Sequence, residues 1–216
     1  MIIAIDGPAG AGKSTVAKIL AQKLGFLYID TGAMYRALTL KTIEQKIDPS
    51  DIPAIVDLAR HSVIDLINDE LGALKVSLDG KDVSSLIREP RITMFVSDIA
   101  KIKDVREVML GLQRKLGKSK DSVLDGRDIG TVVFPDADKK FYLDAKSDER
   151  AKRRYKELVG FGQTITLGDV ESDLSNRDKI DSTRECAPLR KAEDAVYVDT
   201  TDMSIEEVVK TLLGYL

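Results

Sequence analysis

The stretch from Met1 to Leu24 constrains the fold of this chain more than any other. Ile2, Ile3, Ala4 and Ile5 form a continuous apolar run that Asp6 ends, which suits a strand buried on both faces of a parallel sheet. The turn that follows, Gly7-Pro8-Ala9-Gly10-Ala11-Gly12-Lys13-Ser14, matches GxxxxGK[ST] at every fixed position, and Thr15 adds a second hydroxyl. Its glycines allow positive φ and close approach to an anion, so that successive N–H groups converge on one concavity. From Lys13 onward Val16, Ala17, Ile19, Leu20 and Leu24 recur at helical spacing, which sets a helix N-terminus and its partial positive charge at the same point. Strand, loop and helix in this order cradle the phosphates of ATP. Gly7, Pro8, Ala9, Gly10, Ala11, Gly12, Lys13, Ser14 and Thr15 form the expected nucleotide site. Lys13 reaches the β- and γ-phosphates, and the Ser14 hydroxyl ligates Mg²⁺.

With 216 residues, the chain is long enough for one large α/β domain or a core with a modest insertion. A net charge of −3 argues against a protein built as a whole to coat nucleic acid or an anionic membrane. One cysteine, Cys186, and one histidine, His61, leave no disulfide framework and no Cys/His zinc site. No apolar run approaches the length that spans a bilayer. The expectation is a cytoplasmic monomer with no membrane or nucleic-acid partner.

Along the chain, Phe26–Asp30, Ser122–Asp125, Lys140–Asp144 and Glu193–Asp199 read as further buried strands. Helices are expected from Thr31, as N-cap, to about Lys46, and from Pro53 to His61. One or two more run from Ile92 to Leu116, broken near Lys103-Asp104. Others cover Ser147 to Leu158, Asp169 to about Asp181, and Ser204 to Leu216, the last opened by a Ser204/Glu207 capping box. Between 63 and 87 the pattern changes to short strand segments, with turn signals at Asn68 to Gly72 and at Asp79-Gly80, which suits a small antiparallel meander. Alternating strands and helices imply an α/β fold with a mainly parallel five-stranded sheet. The loops leaving the strand C-termini share one edge, which gathers Gly7 to Lys13, Asp30 to Arg36 and Asp125 to Thr131.

Phosphoryl transfer requires in-line positioning and cations around the oxygens that share the developing charge. Arginine forks serve that end better than lysines, and Arg36, Arg127, Arg184 and the group Arg150, Arg153 and Arg154 are candidates. Asp30 suits either Mg²⁺ held through water or a hydrogen bond from one of these arginines.

The N-terminal loop, Asp30-Thr31-Gly32-Ala33-Met34-Tyr35-Arg36, Asp125-Gly126-Arg127-Asp128-Ile129-Gly130-Thr131 and the Arg177 to Arg184 segment together resemble bacterial cytidylate kinases over nearly the whole length. The resemblance implies transfer of the ATP γ-phosphate to CMP or dCMP on a three-layer α/β/α P-loop NTPase fold. It also implies a core of residues 1–62, 88–146 and 193–216, an inserted substrate-binding subdomain at 63–87 and a helical lid at 147–192. By the same resemblance Arg36, Arg127 and Arg184 hold the acceptor phosphate, Arg177 and Asp181 contact the ribose, and Ser97, Arg106 and Asp128 read the base, with Asp30 and Thr31 in the acceptor site. Chemistry supports the base assignment, because cytosine offers an amino donor and two acceptors. Ser97 or Asp128 together with Arg106 answers that pattern. Another small phosphate acceptor, such as dephospho-coenzyme A, or a nucleotide-dependent switch are the competing readings. No Asn-Lys-x-Asp or Leu-Ser-Gly-Gly-Gln segment supports a switch or a transporter ATPase.

Overall fold

The computed structural model describes residues 1–68 and 74–216. Five strands form one sheet: β1 (Ile2–Asp6), β2 (Leu27–Asp30), β6 (Ser122–Gly126), β7 (Lys139–Asp144) and β8 (Val196–Asp199), in the order β2-β6-β1-β7-β8 with every pairing parallel. Alternation along β1 shows why both faces must be covered. Ile3 and Ile5 pack with α1 (Lys13–Leu24) and α8 (Ile205–Leu213), through Val16, Leu20, Val209 and Leu212. Ala4, with Ile29 and Leu124, packs with the opposite layer of α2 (Thr31–Glu44), α3 (Ile52–Arg60), α4 (Pro90–Ala100) and α5 (Lys103–Gly117). The result is the expected three-layer α/β/α arrangement.

A second sheet of β3 (Ile64–Asn68), β4 (Leu74–Leu78) and β5 (Lys81–Asp82) is antiparallel, in the order β3-β4-β5. Asp79 and Gly80, both at positive φ, make its second turn as the sequence implies. Of the first turn, expected over Asn68 to Gly72, residues 69–72 fall outside the described residues. Helices α6 (Ser147–Gly160) and α7 (Leu167–Thr183) pack together through Ala151, Leu158, Val170 and Leu174, and Ala9 of the glycine-rich turn joins that cluster.

Several boundaries shift for identifiable reasons. Thr31 is not the cap of α2: Asp30 is, its carboxylate accepting from the Ala33 N–H at 2.9 Å, while Thr31 Oγ1 donates to the Asp125 carbonyl at 2.7 Å. The break between α4 and α5 lies at Lys101 and Ile102, before the expected Lys103-Asp104. Helix α7 opens two residues ahead of Asp169 because Thr166 and Asp169 form a capping box. The last strand starts only at Val196, a turn joining Ala195 N–H to the Ala192 carbonyl just ahead of it. The closing capping box at Ser204 and Glu207 is present, and α8 ends at Leu213 rather than Leu216.

Candidate active site

Parallel strand direction brings the C-terminal ends of β2, β6 and β1 together, so three aspartates that end apolar runs meet at one edge. Asp30 stands opposite Asp125, and Asp6 opposite Gly126. Between β1 and α1 the glycine-rich turn closes in a shape that side chains would block. A Cβ on Gly7, at φ 145°, would run into the Leu143 carbonyl, and one on Gly10 would lie 2.8 Å from the Arg150 carbonyl.

Above this edge opens a cavity of about 830 Å³. Ala9 to Val16 line its middle, with Asp30, Thr31 and Asp125 beneath. At one end stand Arg36, Ser97, Arg106, Arg127, Asp128, Arg154, Arg177, Asp181 and Arg184, and at the other Thr200 to Glu206 with Arg153. Ser97 on α4 and Arg106 on α5, nine residues apart in sequence, both line this cavity. Of the residues expected at the site, Gly7, Pro8 and the candidate Arg150 stand outside the lining; the Pro8 carbonyl instead accepts from Lys13 Nζ at 2.7 Å.

Charges in the middle are strained by burial. Burial pulls the Lys13 ammonium from 10.5 to about 7, the Arg127 charge adds to the effect, and Asp125, Asp6 and Asp178 oppose it. Burial likewise pushes the Asp125 carboxyl up to about 7, helped by the Asp30 charge and opposed by Lys13. Ser14 Oγ donates to Asp125 Oδ2 at 2.7 Å, and the Tyr28 hydroxyl donates to Oδ1 at 2.9 Å. An anion with a cation on the Ser14 and Asp125 oxygens would relieve both groups. One hydroxyl and one carboxylate beside a phosphate cradle make a donor set of the kind Mg²⁺ takes with nucleotide phosphates.

At the arginine end, Arg106 Nη2 donates to Asp128 Oδ2 at 2.5 Å, and Arg184 Nη2 approaches Oδ1 at 3.4 Å. Arg106 also lies over the Tyr35 ring, 5.5 Å from its centroid. Arg127 Nε donates to Asp181 Oδ2 at 2.8 Å. Burial alone would raise Asp181, yet Arg127, Arg184 and Arg177 hold it below the ordinary carboxylate value. Arg36, anchored on Thr93 Oγ1 at 2.9 Å, is drawn down to about 9 by burial and by the charges of Arg177, Arg154 and Arg88. Arg177 falls to about 10 through burial and Arg127, and its Nε is buried without a partner. Guanidinium groups depress one another in this way where the balancing anion is external to the protein.

The three arginines of α6 separate in role. Arg150 donates to the Ala9 and Ala145 carbonyls, each at 3.0 Å, and to Asp178 at 2.5 Å, so it fastens α6 to the phosphate turn. Arg153 donates to the Thr200 and Thr201 carbonyls. Arg154 lines the cavity, with a buried Nε that lacks a partner.

A profile of the cytidylate kinase family matches residues 3–216. The chain belongs to the cytidylate kinase family. It is 51% identical over 211 residues to the cytidylate kinase of Geobacillus sp. (strain WCH70), covering 98% of this chain and 94% of that one. It is 49% identical over 214 residues to the cytidylate kinase of Clostridioides difficile (strain 630), covering 99% and 97%. A gluconokinase from Sinorhizobium meliloti 1021 shares the fold, with a TM-score of 0.51 at 15% identity over 98% of this chain and 89% of that one.

Among the described residues no helix is long and apolar enough to cross a membrane. Sequence reasoning about this family member missed three features. Asp125, quoted for its motif but given no role, is the partner of Ser14; its signal was an aspartate closing an apolar strand, as Asp6 and Asp30 do. Arg88 lines the cavity and bears on Arg36. The wall from Thr200 to Glu206 carries no sequence signal beyond following a strand C-terminus, which is where ligands of open α/β sheets sit.

Proposed function

We propose that the protein transfers the γ-phosphate of ATP to CMP or dCMP, giving ADP and CDP or dCDP. The observation that carries the reading is a single cavity with a phosphate cradle at its middle and, at one end, a buried carboxylate–guanidinium pair, Asp128 and Arg106, beside Ser97. ATP lies along Ala9 to Thr15, with Lys13 on the β- and γ-phosphates. Arg36, Arg127 and Arg184 hold the acceptor phosphate in line with the γ-phosphorus, and Arg177 with Asp181 holds the ribose. Thr31 and Asp30 close the floor between them. Little covalent help is needed, since cations around the shared oxygens carry most of the stabilisation. Ser14 and Asp125 are the residues that would hold Mg²⁺, which draws charge from the phosphate oxygens when bound.

Asp128 accepts from the cytosine amino group while Arg106 donates to its ring acceptors. Uracil reverses that pattern at N3 and O4 and leaves buried groups unpaired, which sites of this kind reject strongly. The small sheet at 63–87 serves as the acceptor-side subdomain, and α6 with α7, within 147–192, serves as the lid that excludes water. The single cysteine suits the reducing cytoplasm. ADP release measured with CMP, dCMP, UMP, AMP and dephospho-coenzyme A tests the reading. Preference for CMP and dCMP is expected, and faster turnover of any other acceptor overturns it.

A further inference from the structure

Asp6 closes β1 directly ahead of the phosphate turn, and it is 3% exposed. Its carboxylate bonds two amides of a different loop. Oδ1 accepts from the Ile129 N–H at 2.8 Å and Oδ2 from the Gly130 N–H at 2.7 Å. These two amides open the short π-helical turn Ile129–Val133 that follows β6, in which the Val133 N–H reaches back to the Asp128 carbonyl and the Phe134 N–H to the Ile129 carbonyl. Asp128 stands at the N-cap of this turn. An aspartate there ordinarily bends its carboxylate over the free amides of the first turn. Asp128 makes no such bond. Its two oxygens point to Arg106 and Arg184 instead.

We propose that Asp6 is a positioning residue for acceptor recognition: by capping the 129–133 turn from a neighbouring strand, it frees the Asp128 carboxylate to face Arg106, Arg184 and the acceptor's base. The inference rests on the reading above that Asp128 contacts that base. The same residue leads into the phosphate turn through Gly7, so one carboxylate ties the acceptor's reader to the donor's cradle. Without Asp6, the Ile129 and Gly130 amides lose their acceptor, and Asp128 turns back onto the Gly130 amide as an ordinary cap. Arg106 and Arg184 then lose their shared acceptor, and the preference for cytosine falls with it.

A mutant cycle on the full chain tests this, with CMP and ATP varied separately. Asp6→Ala is expected to raise KM for CMP about tenfold or more while KM for ATP stays within about threefold, and to narrow the CMP-over-UMP ratio by a similar factor. In an Asp128→Ala background the same substitution is expected to change KM for CMP by less than about twofold, since the two residues act as one unit. Equal losses for CMP and ATP, or an undiminished effect in the Asp128→Ala background, overturn the proposal. If Asp6→Ala does not fold, Asp6→Asn, which keeps one acceptor oxygen, is put through the same cycle with the same two criteria. A crystal structure of the Asp6 variant reads the inference without any substrate. Asp128 turned onto the Gly130 amide is expected, and Asp128 still paired with Arg106 and Arg184 contradicts it. Failure of the wild type to turn over CMP would instead count against the function proposed above.

Discussion

Replacing Arg127 by alanine removes the cation that links the end of β6 to the acceptor side. In the structure its Nε donates to Asp181 Oδ2 at 2.8 Å, and the two side chains are 19% and 7% exposed. Burial alone would lower the guanidinium, but Asp181, Asp178 and Asp125 hold it above its ordinary value, so the group is charged throughout the working pH range. A charge-assisted fork onto a phosphate is worth about 2 to 3 kcal/mol. At 1.36 kcal/mol per factor of ten, that is a loss of about 30- to 160-fold in kcat/KM for CMP. Among the described residues Asp181 would keep Arg184 Nη1, at 3.5 Å, as its side-chain hydrogen-bond donor, so the proposed ribose contact is expected to loosen as well. The assay is ADP release with CMP varied at saturating ATP, and circular dichroism confirms the fold. Arg127→Lys, which retains charge without the fork, is expected to fall between the two. A folded Arg127→Ala enzyme with kcat/KM for CMP within about threefold of wild type, or one whose loss falls on ATP alone, would refute the reasoning.

Three further outcomes are expected. Lys13→Met abolishes transfer, and it also removes a proton signature: at pH 8 the buried ammonium, drawn down to about 7, is mostly neutral, and polyphosphate raises it again. Calorimetry of ATP binding without divalent cations, in buffers of different ionisation enthalpy, should therefore report proton uptake in wild type that shrinks in Lys13→Met. Ser97→Ala is expected to leave KM for ATP within about twofold while lowering the CMP-over-UMP ratio by a factor of about 5 to 30, the worth of one neutral hydrogen bond to two; an unchanged ratio excludes Ser97 from base reading. Arg150→Ala, which loses the bonds to Ala9, Ala145 and Asp178, should raise KM for ATP about tenfold with little change for CMP, as measured by the same coupled assay.

The parallel sheet was legible because its strands are short apolar runs closed by aspartate, and the phosphate cradle because its glycines, Lys13 and Ser14 have fixed spacing. Helix ends were less legible where two neighbouring residues compete for one role. Asp30 and Thr31 are both good caps, and only the approach of the Asp125 carbonyl decides that Thr31 turns away. Arg150, Arg153 and Arg154 look alike on a helix face, and their roles separate only through what α6 packs on: Ala9, Thr200 and open cavity respectively. The work of Asp125 and Asp6 was hidden for the same reason. Their partners lie 111 and 123 residues away in sequence, and strand order alone brings them within hydrogen-bond distance.

In the proposed function, one cavity holds both a phosphate donor and a phosphate acceptor. The most direct test follows ATP labelled at its γ-phosphate in the presence and absence of CMP. Label is expected in CDP when CMP is present, with little label in inorganic phosphate in either case. Label released as inorganic phosphate at the same rate with and without CMP, and none in CDP, would rule out transfer to CMP.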